Sequence, residues 1–503
     1  MTTISKQDRD RAPLYDAMAD HQRGRHANFH VPGHKSGRGL LREASGLFSS
    51  IMSIDYTEIS GLDDLHQAEG VILEAERLAA DCFGAEETYF LVGGSTVGNL
   101  AMISALCAPG DILLVQRNVH KSVLNGFMLA GAKAVFLPPS WDPHLGVPTG
   151  ININSVKEAI KRYPEAKGLF LTNPNYYGMG LDLEPITDFM HAQGKPVLVD
   201  EAHGAHYGFH EDLPKSAISM GADIVVQSTH KMLTAMTMGA MLHIQGKLIN
   251  REAVKQRLTM LQSSSPSYPI MASLDLARKL MHTQGEEWVR KGLQVVNYLR
   301  KLLDQKAEFE YSFNSYPLVS GPGYTTVDPF KITIRERTGT LSGPQLRDAL
   351  ESRGCYVEMA DARNVLLVLT PASTEDDVTR LYEALCNICL EELVEKKELQ
   401  PPITNIYNLP SLTHISQPVK FDMRNLQNEG ISYSLATSSV DVQQAIGKCS
   451  AEMVIPYPPG VPLLYPGERI TEAAAEMLEQ FRALGIKFQG TAYGQTRKLK
   501  IYT

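Results

Sequence analysis

The chain has no apolar run approaching the ~20 residues that a membrane-spanning helix needs, which excludes a helical membrane protein. It has no surplus of positive charge either: 48 Lys and Arg stand against 56 Asp and Glu, a formal net charge of -8. A general nucleic-acid binder is normally basic, so that class is set aside, whereas an acidic balance suits a cationic ligand. Residues 1–11 are polar and charged without an apolar centre, so no secretory signal is expected. Six cysteines are too few to frame 503 residues with disulfides. The one CxxC, Cys386-Asn-Ile-Cys389, has no second to complete a zinc site. It falls in a helical pattern over residues 376–396, where a buried helix face explains it better than metal or redox chemistry. A cytoplasmic protein without a metal is expected. No internal repeat or low-complexity tract appears.

What is present is ordinary in bulk. Apolar residues are 43% and charged residues 21%, the balance of a soluble globular protein long enough for roughly two to four domains. Residues 1–60 read as an irregular arm, with a Gly- and base-rich patch at 30–39 that suits either an anion-binding loop or a flexible connection. A helix is expected over 71–83. Strands are then expected at 89–92, 112–116, 168–172, 196–200 and 223–226, with helices at 97–106 and 122–130. Continuous apolar strands separated by helices predict an α/β fold with a mostly parallel sheet covered on both faces. Later, strands at 331–334 and 365–369 with helices at 344–352 and 375–396 predict a smaller α/β domain. A Pro- and Asn-rich connector at 399–410 precedes a tail with a helix over 471–484. The expected domains are an arm (1–60), a large domain (61–315), a small α/β domain (316–400) and a C-terminal domain (401–503).

Open sheets of this kind bind ligands beyond the carboxyl ends of their strands. Three polar stretches fall there. Gly94-Ser95-Thr96 lies between a strand and a helix start, where backbone N–H groups and two hydroxyls suit a phosphate or serve as an ordinary N-cap. No GK[ST] follows, so it is not a Walker loop. Asp200-Glu-Ala-His203-Gly-Ala-His206 ends a buried strand. Its aspartate needs a cationic or donor partner: a protonated pyridine nitrogen, a helix N-cap, an ion pair, or a metal shared with His203 and His206. Ser228-Thr-His230-Lys231 follows another buried strand. A desolvated lysine there is a nucleophile able to form a Schiff base; a lysine pointing to water is the plainer alternative. Some thirty residues separate Asp200 from Lys231, room for one crossover between neighbouring parallel strands. Phosphate loop, aspartate and lysine at successive strand ends make a site for pyridoxal phosphate (PLP). Two other His-Lys pairs, His34-Lys35 and His120-Lys121, do not follow a buried strand after the aspartate.

With Ser228-Thr-His-Lys231, Arg117-Asn-Val-His120-Lys-Ser122, Val31-Pro-Gly-His-Lys35 and Tyr457-Pro-Pro-Gly-Val-Pro-Leu-Leu-Tyr-Pro-Gly-Glu468, the chain resembles the bacterial ornithine/lysine/arginine decarboxylases. These are PLP enzymes of the aspartate-aminotransferase fold (fold type I), active in polyamine biosynthesis. The resemblance runs from about residue 13 to about residue 490 and is to the shorter, Gram-positive-type branch without a receiver-like N-terminal domain. It implies that Lys231 is the Schiff-base lysine, Asp200 the partner of the pyridine nitrogen and His120 the histidine stacked on the ring. It assigns Ser95, Thr96, Ser228 and His230 to the phosphate. His203 stands where the larger relatives have a tryptophan near the ring hydroxyl, a departure from the pattern. Ser263-Ser-Ser-Pro-Ser-Tyr268 resembles a segment that reaches the neighbouring subunit's phosphate, which implies a homodimer or a multiple of dimers.

The expected reaction is decarboxylation of a basic amino acid, arginine ahead of lysine and ornithine. A guanidinium or ammonium calls for an acidic group at the far end of the pocket. Glu358 and Asp361 are the candidates, with Asp63 and Asp64 behind them; solvated loop charges are the plainer reading of each. Two rivals stand beside this function. One is transamination or elimination on the same fold, with Arg363 as the carboxylate grip. The other is a catalytically silent binding or regulatory relative.

Overall fold

A computed structural model describes residues 4–24, 26–306, 308–311, 320–337, 340–393, 414–421, 436–457 and 460–503. The expected connector at 399–410 and the change of character at Tyr316 lie outside them. The chain forms two compact units, residues 1–106 with 187–288, and 107–186 with 289–503.

In the first unit the strand order is Glu87–Leu91, Ala240–Ile244, Ile224–Gln227, Val197–Asp200. The last two pair in parallel, as their unbroken apolar sequences predict. Ala240–Ile244 runs antiparallel to both its neighbours, so this part of the sheet is mixed. Register pairs Asp200 with Val226, so their side chains share one face. The helix Gly94–Leu106 packs on that face. A Cβ on Gly98 would come within 2.4 Å of Val226 Cγ2, so only glycine allows this approach. The helix starts at Gly94, three residues earlier than expected; Gly94 itself takes a φ of +73°, and its N–H donates to Met238 O at 2.9 Å.

The amino-terminal arm is not irregular as expected. It carries helices at Pro13–Arg23 and Ser45–Met52. Pro13 sits in the first turn, where its missing N–H costs nothing, and Leu14 and Met18, one turn apart, are buried. Asp275 accepts from Leu14 N at 3.0 Å and pairs at 2.5 Å with Arg278, which also donates to Arg9 O and Arg11 O. Tertiary anchoring holds a helix whose local signal is weak.

The second unit has the strand order Leu169–Thr172, Ile112–Gln116, Lys133–Leu137, Val419–Lys420, parallel except for the last. Ser416 closes that edge by donating to Phe136 O and accepting from Phe136 N. The smaller α/β element is a four-stranded antiparallel sheet, Phe309–Tyr311, Lys331–Glu336, Val365–Val368, Met359–Ala360. Helices Gly343–Glu351 and Glu375–Ile388 join it, each started by a capping box at Ser342 and Thr374. The C-terminal part has its own core, with Val442, Leu464, Ile470, Leu478, Tyr493 and Ile501 around the helix Glu472–Ala483. Among the described residues no helix is long and apolar enough to cross a membrane.

Candidate active site

The first unit brings together most of the expected site. Asp200, 3% exposed, closes the strand Val197–Asp200. Its Oδ2 accepts from Asn99 Nδ2 at 2.8 Å and its Oδ1 from Ala202 N at 3.1 Å. Both donors are neutral, and among the described residues no cation pairs with it. Asn99 was missed from sequence; it lies one turn beyond Ser95 on the buried face of the same helix. One parallel strand over, Ile224–Gln227 leads directly into the turn Thr229–Met232. There Lys231 Nζ lies 3.1 Å from His203 Nε2. His230 places N and Nδ1 on Gly239 O at 3.1 and 3.0 Å, which sets the Nδ1–H tautomer. Ser95 is half-buried and Thr96 exposed, in the first turn of Gly94–Leu106.

Ser228 supplies the test of what the site holds. It is fully buried, yet its hydroxyl has no hydrogen-bond partner among the described residues. A buried donor left unmade costs about 1–3 kcal/mol, so such groups are normally satisfied. A phosphate oxygen would satisfy it, and a protonated ring nitrogen would supply the cation that Asp200 lacks. The residues present fit pyridoxal phosphate. Among the described residues Asp200, His203 and His206 do not gather into a group of three potential metal ligands.

Beneath the sheet lies a buried polar row that the sequence did not reveal. Ala217 N and Gln227 Nε2 donate to Glu201, both at 2.7 Å; Gln227 Oε1 accepts from His243 Nε2, and Thr88 Oγ1 meets His243 Nδ1 at 2.8 Å. Burial pushes the Glu201 carboxyl up to about 8, and does the same to Glu76. Burial holds His243 down at about 3. From the ordinary carboxylate value up to about 8, folded Glu201 keeps a proton that the unfolded chain has released. Stability therefore falls as pH rises through that window, by about 1.4 kcal/mol per pH unit for each such group. His243 opposes this only below its ordinary value of 6.5, where unfolding takes up a proton. Glu201→Gln is thus expected to flatten the decline of stability between about pH 6.5 and 8 by about one such slope. Urea midpoints across that range measure it; equal slopes in wild type and variant would mean that Glu201 is ionised in the fold.

The second unit carries His120 at the N-cap of Lys121–Ala130, its Nδ1 2.8 Å from Ser122 Oγ. It also shows what Arg117 and Glu468 do: they form a buried ion pair at 3.0 Å. Glu358 and Asp361 do not come together. Asp361 lines a cavity of about 170 Å³ with Trp141, Tyr177, Arg363 and Phe481. Its oxygens accept from Tyr177 Oη at 2.6 Å, from Arg363 N and from Asn364. Burial pushes the Tyr177 phenol well above its ordinary value, so it donates. Glu358 is exposed and lines a different cavity with Tyr356, Asp377 and Arg380. In the first unit Asp63 accepts N–H groups of Gly70 and Ile72 at the start of Val71–Phe83, and Asp64 caps a short turn. Tyr268 is buried and donates to Asp63 O within its own chain, while Ser263, Ser264 and Ser265 are exposed.

The chain matches the family model for the Orn/Lys/Arg decarboxylase major domain over residues 12–377, and that for the C-terminal domain over 417–491. It is 42% identical over 492 residues to YaaO of Bacillus subtilis (strain 168), an uncharacterized protein, covering 97% of this chain and 98% of that one. It is 36% identical over 480 residues to an arginine decarboxylase of the same organism, covering 95% of each. Among solved structures, the lysine decarboxylase LdcF of Francisella novicida matches with a TM-score of 0.82 at 22% identity, over 98% of this chain and 81% of that one.

Proposed function

Because the chain belongs to the Orn/Lys/Arg decarboxylase family, we propose that it decarboxylates a basic amino acid with pyridoxal phosphate, arginine ahead of lysine and ornithine. The observation that supports the reading is the trio at adjacent strand ends: a buried Ser228 hydroxyl and a buried Asp200 that have, among the described residues, no hydrogen-bond partner and no cation respectively, and Lys231 beside an imidazole. The preference for arginine rests on the Bacillus subtilis relative of that name.

The bound cofactor supplies a sink for the electron pair left when the carboxylate departs as CO₂. In this reading Lys231 holds the cofactor, and His203 Nε2 takes a proton from its ammonium, leaving the neutral amine that bonding requires. Asp200 holds a proton at the ring nitrogen, oriented by Asn99 and Ala202 N. Ser228, His230, Ser95 and Thr96 hold the phosphate, helped by the N–H groups opening Gly94–Leu106. His120 takes the ring-stacking role. The balance is one proton consumed at Cα for each CO₂ released, with Lys231, His120 or another acid as its donor. Glu358 and Asp361 are the carboxylates proposed for the substrate's cationic end. Since they line separate cavities, Glu358→Gln and Asp361→Asn separate their contributions.

The test is release of labelled CO₂ from carboxyl-labelled arginine, lysine and ornithine, with kcat/KM for each. Arginine is expected to lead. Turnover of none of the three, with amino transfer to a keto acid instead, would replace this reading by an aminotransferase.

The same proposal includes a homodimer in a reducing cytoplasm. All six cysteines are free. The arm exposes Phe29 (95%), Leu47 (85%) and Leu41 (70%), apolar surface that a second copy would cover. Sedimentation is expected to give a dimer or a multiple of it; an active monomer at assay concentration would refute this.

A further inference from the structure

Arg117 is among the largest fully buried side chains of the protein. Its Nη1 donates to Pro462 O at 2.8 Å and its Nη2 to Leu463 O at 3.1 Å, while Glu468 takes Nη2 at 3.0 Å. The guanidinium lies 4.9 Å from the Tyr465 ring centroid and 5.3 Å from that of Phe136. Glu468 also accepts from Tyr465 N. A buried ion pair adds little net stability over apolar packing, so its presence calls for another account. What it does is tie the loop 460–468 to the residues just before His120. Four residues after Arg117 the two segments meet again. Lys121 N donates to Gly460 O at 3.2 Å, and Lys121 Nζ to Gln489 Oε1 at 2.6 Å. Gly460 takes a φ of +89°, and a Cβ there would stand 3.3 Å from His120 Cδ2 and 3.4 Å from Nε2. The imidazole is therefore held at Nδ1 by Ser122, and its Cδ2–Nε2 edge faces Gly460, where a Cβ would crowd it.

We propose that the loop 460–468 is the positioning element for His120: Arg117 and Glu468 latch the loop, and Gly460 sets the plane of the imidazole. The proposal rests on the reading of His120 as the partner of the cofactor ring. It gives the C-terminal part of the chain a task in cofactor chemistry without contact to the cofactor.

A cycle of Gly460→Ala and His120→Ala tests it, read by the Kd of the apoprotein for pyridoxal phosphate and by the visible circular dichroism of the bound cofactor. Aromatic contacts are worth about 0.5–1.5 kcal/mol, so Gly460→Ala is expected to weaken cofactor binding by up to about tenfold and to change the dichroism. In the His120→Ala background the same substitution is expected to change neither. A structural role independent of His120 predicts equal effects in both backgrounds, and that result overturns the proposal. If His120→Ala itself leaves Kd and dichroism as in wild type, the ring-partner reading of His120 fails, and the positioning proposal with it; CO₂ release from arginine would stand untouched. Should Gly460→Ala not fold, Glu468→Gln, which keeps shape and loses charge, runs the same cycle and is judged by the same two results.

Discussion

Lys231→Ala is expected to abolish the visible absorbance of lysine-bound cofactor and to lower kcat by about 10³- to 10⁴-fold or more, the scale of losing a positioned proton-transfer group together with a nucleophile. Lys231 follows the buried strand Ile224–Gln227 without an intervening loop, so its backbone is fixed by the sheet. Its amine lies 3.1 Å from an imidazole nitrogen that can relieve it of a proton. The two rival lysines are otherwise engaged. Lys121 donates to Gln489 Oε1, and Lys35 donates to His30 O. Borohydride reduction of the holoenzyme followed by peptide mapping is expected to mark residue 231. A variant with unchanged absorbance and turnover would defeat the assignment, whichever other lysine proved to carry the label.

The placement of Lys231 and Asp200 at the ends of neighbouring parallel strands was legible in the sequence because its signals are local. A continuous apolar strand such as Val197–Asp200 ends in a polar residue, and in an α/β fold that end is where ligands gather. The covered parallel strands Ile112–Gln116 and Ile224–Gln227 were legible for the same reason. Three features were not. The helix Pro13–Arg23 shows only three buried apolar positions, Pro13, Leu14 and Met18, and it is anchored by Asp275 and Arg278, more than 250 residues away along the chain. Ala240–Ile244 is a buried, mostly apolar strand like those that pair in parallel, and composition carries no strand direction. Arg117 and Glu468 both stood in quoted motifs, but a pairing across 351 positions leaves no periodicity to read. Asn99 could have been found: a polar residue on the buried face of an otherwise apolar helix, one turn past the phosphate-loop serine, needs a partner in the site.

Asp200→Ala is expected to leave pyridoxal phosphate bound while slowing turnover about a hundredfold. The phosphate contacts assigned to Ser95, Thr96, Ser228 and His230 do not pass through Asp200, so occupancy survives. In the role proposed for Asp200, what is lost is a buried, charged hydrogen bond to the ring nitrogen, worth up to ~3 kcal/mol, and that converts to about two powers of ten in rate. Asp200→Asn separates charge from shape. The amide can still meet Asn99 and Ala202 N, after adjusting one of its ends, but it cannot hold a proton on the ring. It is therefore expected to behave like the alanine variant in kcat and like wild type in thermal stability. Asn99→Ala removes only one 2.8 Å donor from the carboxylate, so a smaller loss, about tenfold, is expected from the ~1.5 kcal/mol of a single hydrogen bond to a charged group. Its effect should vanish in the Asp200→Asn background, since Asn99 acts through the charge that substitution has already removed. Assays at saturating cofactor decide the matter: a near-normal kcat for Asp200→Asn would mean that the ring nitrogen needs no proton from this residue, and the electron sink would have to be sustained by other groups of the site.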